Sequence, residues 1–166
     1  RLMTTRNFIV TDAGGQRIAA ASTLWAMIDV KTRQPLDLRD NVDYSRALLA
    51  IPCPIDKPAK IGRIEGVPCD SRRVRYSDID FNQHTNSMKY IQWMLDALPL
   101  EKLTGCRMKR LDVNFVHETR YGQQLVVCCE YGTDRDRFEI RFEDGTAACK
   151  AAIRWETSDE RSNQTA

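Results

Sequence analysis

The sequence is short of several things, and each shortage excludes something. Its 166 residues hold only two histidines, His84 and His117, and six cysteines without a Cys-x-x-Cys pair. The paired spacing of a Cys/His zinc site is therefore missing. A chain of this size does not need disulfide staples, so the thiols are expected to be reduced and structural, with a cytoplasmic setting as the default. Apolar runs such as Ala19-Ala20-Ala21 and Val126-Val127-Cys128-Cys129 fall far below the roughly 18 residues that cross a bilayer. No charged-then-apolar leader points to secretion. The first residue is Arg1, so the gene product is not assumed to start there. Charge of one sign is lacking too. With 25 basic and 23 acidic residues the net charge is +2, and no basic–aromatic array suggests a nucleic-acid partner.

What is present is an ordinary globular composition, 42% hydrophobic and 29% charged. Five of the six prolines (Pro35, Pro52, Pro54, Pro58, Pro68) fall in one stretch, which reads as a linker over 35–69. Beyond it, Arg72–Tyr76 alternates enough for a short strand. Residues 87–98 carry Met88, Ile91, Leu95 and Leu98 at helical spacing, with Asn86 or Ser87 as the cap and Pro99 as the stop. Four alternating segments follow, around 111–115, 124–131, 138–142 and 150–156. The last two are joined by Glu143-Asp144-Gly145-Thr146, a tight-turn sequence. One helix followed by four successive strands predicts an α+β fold in which an antiparallel sheet wraps the helix.

The chain also repeats itself weakly. A shift of 130 positions aligns Phe8 with Phe138, Gly15 with Gly145, Ala21 with Ala151, Trp25 with Trp155 and Asp29 with Asp159. Five identities in 22 positions exceed the one or two that average composition gives by chance, at roughly one match in 16. Residues 7–29 thus read as the closing hairpin of a first copy whose helix and early strands are missing. The expected organisation is 1–34 as the end of the first copy and 35–69 as linker. The second copy then covers 70–157, and a polar tail covers 158–166.

The densest polar stretch lies between the first strand and the helix, Ser77-Asp78-Ile79-Asp80-Phe81-Asn82-Gln83-His84-Thr85-Asn86. Asp80, Asn82 and His84 recur at every second position and would share one side if the segment were extended. The unpaired amides at a helix start could hold a developing oxyanion beside them. Such a set suits hydrolysis of an activated acyl group, and equally suits helix capping with a buried histidine. Spacing does not choose between the two.

The run from Arg75 to Asp96, RYSDIDFNQHTNSMKYIQWMLD, resembles the signature of the fatty acyl–acyl carrier protein thioesterases. Ala20–Pro35 and Ile55–Lys60 resemble other segments of that family. The resemblance implies tandem hotdog domains, each a long helix wrapped by an antiparallel sheet, with the first copy incomplete. It implies catalytic roles for Asp80, Asn82 and His84, and for Glu118 on a following strand. Thr119 stands where plant members usually have cysteine, which disfavours a cysteine nucleophile and favours attack by water. Glu118 or Asp80 would be the base, and no cofactor or metal is implied. The implied partners are an acyl chain and an acidic acyl carrier protein, with Arg72, Arg73, Arg75, Lys109 and Arg110 as candidate docking residues. Hotdog sheets pair edge to edge, so a homodimer is open, although a tandem copy can fill that role. An acyl-CoA thioesterase and a non-catalytic acyl-binding hotdog are the alternatives.

Overall fold

The computed structural model describes residues 2–41, 43 and 51–156. The expected polar tail and Asp159 of the repeat lie outside these residues. The chain divides into two compact units, Arg1–Pro58 and Ala59–Ala166.

In the first unit, β1 (Met3–Thr11) and β2 (Arg17–Ala26) form an antiparallel hairpin, followed by the short α1 (Leu38–Asn41). The turn is held by Asp12, whose Oδ1 accepts the amides of Gly14 and Gln16, both at 2.9 Å. Gly15 takes φ +82°, which glycine alone adopts without a Cβ penalty.

In the second unit, the antiparallel sheet runs in the order β3-β5-β6-β7-β4. These strands are β3 (Val67–Arg73), β4 (Met108–Phe115), β5 (Gln124–Glu130), β6 (Arg135–Phe142) and β7 (Ala147–Trp155). Between β3 and β4 come a 3₁₀ turn (Tyr76–Asp78), α2 (Ser87–Asp96) and α3 (Leu100–Gly105). Tyr90, Trp93, Met94 and Leu98 seal the helix onto Leu125, Val127, Phe138, Ile140, Ala151 and Ile153. This is the hotdog arrangement. The repeat is visible here, since Gly145 takes φ +84° in the turn matching that of Gly15. The repeated aromatics differ in fate. Phe138 and Trp155 are 0% and 3% exposed, whereas Phe8 and Trp25 are 49% and 47% exposed.

The structure corrects two local expectations. The buried helical stripe is Tyr90–Trp93–Met94–Leu98, with Met88 exposed and Ile91 and Leu95 only partly covered. Trp93 and Tyr90 bring the larger areas, so they set which face turns inward. As expected, α2 stops ahead of Pro99, at Asp96, and Pro99 then stands at the N-cap of a separate helix, α3. Finally, Cys69 and Cys129 are disulfide-bonded, with the other four thiols free. They lie 60 residues apart in sequence, but a register shift between Pro68 and Asp70 sets their Cα atoms 6.1 Å apart on paired strands.

The end of the proline-rich stretch is strapped to the outer face of this sheet. Asn114 accepts the Ile61 amide at 2.8 Å and donates to the Ala59 carbonyl at 3.1 Å, acting as a substitute strand edge. Asp112 accepts the Ala59 amide at 3.3 Å, and Glu139 accepts the Ile64 amide at 3.4 Å. Arg141 donates to the Ile64 carbonyl at 2.8 Å. Ile61 and Ile64 are buried under this clamp. Burial pushes the Glu139 carboxyl up, but the hydrogen bond and charge of Arg141, with Lys150, leave it below its ordinary value. Asp112 is held low in the same way, with Arg110 and the Ala59 amide offsetting its burial.

Candidate active site

The site is built by the loop before α2 and by the connection from β4 to β5. The polar stretch is not extended. Ile79 and Thr85 pair as an isolated antiparallel bridge, and the Asp80 amide donates to the His84 carbonyl at 2.9 Å. The chain turns back at Gln83, which takes φ +64°, a left-handed conformation that non-glycine residues seldom adopt. Asp80 directs Oδ1 into this loop, accepting the amides of Asn82 at 2.9 Å and His84 at 3.4 Å. Alternation along a strand therefore does not describe the motif. Asp80 shapes the loop, Asn82 stands at its exposed tip beside Phe81, and His84 lies on the returning arm.

The structure brings His84 and Glu118 together, with Nε2 3.2 Å from Glu118 Oε2. Arg120, two residues further on, places Nη2 3.4 Å from the same nitrogen. A guanidinium only donates, so Nε2 serves Glu118 when it carries a proton and Arg120 when it does not. The Glu118 contact is the shorter. Asp80 and Asn82 are not drawn into this pair.

Three amides around the helix start, those of Asn86, Met88 and Lys89, are already engaged. Asn86 caps α2, its side chain accepting the Met88 amide at 2.9 Å. Its own amide goes to the Asp78 carbonyl at 2.8 Å, and the Lys89 amide goes to the Asn86 carbonyl at 2.9 Å. The capping asparagine thus spends the Met88 amide, one of the donors that an oxyanion hole could use.

Behind the pair lies a buried hydroxyl cluster that sequence reading did not assemble. Thr119 Oγ1 meets Tyr90 Oη at 2.8 Å and Thr85 Oγ1 at 2.6 Å. Tyr90 reads from sequence as packing, and its ring does pack, edge-on to Trp93 and Phe115. Its hydroxyl is what the helical pattern conceals. Burial raises its pKa above the ordinary phenol value against the bonds from Thr119 and Thr85, so it remains protonated. Arg120 was also missed, although its place two residues after Glu118 was a signal. His117 faces elsewhere, its Nδ1 2.8 Å from the Ala147 carbonyl oxygen. Among the described residues, no group of three or more His, Cys, Asp or Glu side chains is placed to hold a metal. No described helix is long and apolar enough to cross a membrane.

Of the expected docking residues, Arg72 is paired with Asp70 at 2.7 Å and Asp96 at 3.2 Å, and Arg110 is paired with Asp112 at 2.8 Å. Arg73, Arg75 and Lys109 are exposed.

Comparison with known proteins adds the following. The pattern of the acyl-ACP thioesterase C-terminal domain family matches residues 65–157, more than half of the chain. The chloroplastic acyl-[acyl-carrier-protein] hydrolase FATB1 of Cuphea viscosissima is 27% identical over 95% of this chain and 41% of its own length. The chloroplastic palmitoyl-acyl carrier protein thioesterase of Arabidopsis thaliana is 24% identical over 90% of this chain and 41% of its own. The chain thus spans about two fifths of the length of these curated relatives. Among solved structures, an acyl-ACP thioesterase from Bacteroides thetaiotaomicron superposes with a TM-score of 0.82 at 32% identity. That match covers 94% of this chain and 64% of the other. The 12:0-ACP thioesterase of Umbellularia californica shares the fold, with a TM-score of 0.72 at 18% identity over 93% of this chain and 61% of its own.

Proposed function

The chain belongs to the acyl-ACP thioesterase family, and on that premise we propose that it hydrolyses the thioester of fatty acyl–acyl carrier protein. The products are free fatty acid and carrier thiol. The observation that carries the reading is the contact of His84 Nε2 with Glu118 Oε2 at 3.2 Å, on the motif that resembles the family's.

In this reading His84 orients Glu118, which takes a proton from a water held beside the pair, and the water oxygen bonds to the thioester carbonyl carbon. The tetrahedral species then breaks its C–S bond. The thiolate, a good leaving group, takes up the proton that Glu118 received. Arg120, and Asn82 at the loop tip, supply donors to the oxyanion beside the Ser87 amide that opens α2. Asp80 holds the loop in shape through the Asn82 and His84 amides, which disfavours it as the base.

Two substitutions separate these roles. Glu118→Gln should lower kcat about 10²- to 10⁴-fold, the usual contribution of a general base. Asp80→Asn keeps an oxygen for both loop amides and should cost about tenfold or less. Unchanged turnover in both variants would refute the scheme.

For the carrier, the docking surface we assign centres on Arg73 and Arg75, because Arg72 and Arg110 already serve carboxylates of this chain. Reversing Arg73 and Arg75 to Glu should raise KM for the acidic carrier substrate at low salt and leave kcat in place. An unaltered KM would remove this surface from the account.

A further inference from the structure

We propose that Thr119, Thr85 and Tyr90 are positioning residues that set the His84–Glu118 pair through one buried hydrogen-bonded ring; this rests on the functional reading above. Thr119 is 0%, Tyr90 4% and Thr85 6% exposed. The proton count fixes the direction of the ring. The Thr119 amide, which only donates, gives its proton to Tyr90 Oη at 3.1 Å. Thr119 donates its hydroxyl proton to Thr85 Oγ1 at 2.6 Å, so the phenol must donate in the 2.8 Å contact with Thr119 Oγ1. The Thr85 amide closes the ring on the Thr119 carbonyl at 2.8 Å.

These residues have a particular place in the chain. Thr85 immediately follows His84, and Thr119 immediately follows Glu118. A clamp between the two threonines therefore fixes the spacing of their predecessors, which lie on the more exposed side and meet at 3.2 Å. Tyr90 ties the clamp to α2, and its ring is locked edge-on by Trp93 at 5.6 Å and Phe115 at 5.8 Å. The long side chain of Glu118 is otherwise half exposed, so without the clamp it has rotamers to lose.

A role in positioning differs from one in folding alone by what it moves. The full chain is compared with Thr119→Val, Thr119→Ser and Tyr90→Phe. With two histidines in the chain, imidazole ¹⁵N spectra are assigned by adding His117→Gln. In the unaltered chain the spectra should show the His84 ring proton on Nε2, the nitrogen facing Glu118. Thr119→Val and Tyr90→Phe should lose that signature with the backbone spectrum otherwise retained, and Thr119→Ser should keep it. In thioester turnover, Thr119→Val should lower kcat about 10- to 100-fold with KM within about twofold, as for small misplacements of reacting groups. Thr119→Ser should restore it.

A folded Thr119→Val or Tyr90→Phe chain with the tautomer signature intact would overturn the inference, and so would one with kcat unchanged. If Thr119→Val does not fold, the Tyr90→Phe and Thr119→Ser pair decides it by the same signature. If no variant hydrolyses any thioester, the functional reading fails, and the spectra still decide whether the ring positions His84.

Discussion

Asn114 is the most economical test of the strap. One side chain on β4 bonds both the Ile61 amide and the Ala59 carbonyl, at 2.8 and 3.1 Å. Asn114→Ala removes both bonds without cutting into the core. Each such bond contributes about 1 kcal/mol net, so the direct loss is about 2 kcal/mol. Local loosening also uncovers part of Ile61 and Ile64, whose full burial is worth roughly 1.5–3 kcal/mol each. Partial exposure therefore puts the total at about 2–4 kcal/mol. For a unit of this size, about 1 kcal/mol moves the midpoint by roughly 4–8 °C. A fall of at least about 8 °C by calorimetry is then expected, together with faster hydrogen exchange at the Ile61 and Ile64 amides than in the core of β6. A midpoint within about 2 °C of the unaltered chain, with exchange at both amides unchanged, would show that Asn114 does not hold the strap.

Acid should loosen the same strap. Asp112 and Glu139 are held below ordinary values of 3.8 and 4.5. Their contribution is therefore fully present above the ordinary carboxylate range and is lost as pH falls through their folded values. Urea midpoints should change little from pH 7 to about 5 and fall below about pH 4, whereas a midpoint constant to about pH 2.5 would contradict the assignment. Asp136 is fully buried and serves Lys102 Nζ at 2.7 Å, Trp155 Nε1 at 2.6 Å and the Gly132 amide at 3.0 Å. Asp136→Ala should cost about 3–5 kcal/mol in denaturant unfolding, and a loss below about 1 kcal/mol would mean that Lys102 and the indole find other partners.

Much of this fold is legible in the sequence because its elements bury one face each. Phe138 and Ile140 alternate with Arg137, Glu139 and Arg141, and β6 forms there. Gly15 and Gly145 mark two turns at matching places in the repeat, and both need positive φ. The misreadings have a common cause, which is that tertiary context overrides local pattern. Glu139 reads as a solvated residue by period 2, yet the strap covers it, and no local pattern announces a strap. Helical periodicity alone offers two neighbouring stripes on α2, and the sheet selects the one with Tyr90 and Trp93. The Cys69–Cys129 bond depends on strand register across 60 residues. At the site, the motif residues are readable one by one, but the folding of Asp80–His84 into a loop is not. That loop turns Asp80 to the backbone and leaves His84 to meet Glu118.

The most direct test of the central claim is thiol release from one acyl chain carried on acyl carrier protein and on coenzyme A, run beside His84→Ala. The account predicts hydrolysis that favours the carrier protein and is abolished by the substitution. Hydrolysis that survives His84→Ala would contradict the site, and hydrolysis confined to coenzyme A would contradict the proposed carrier.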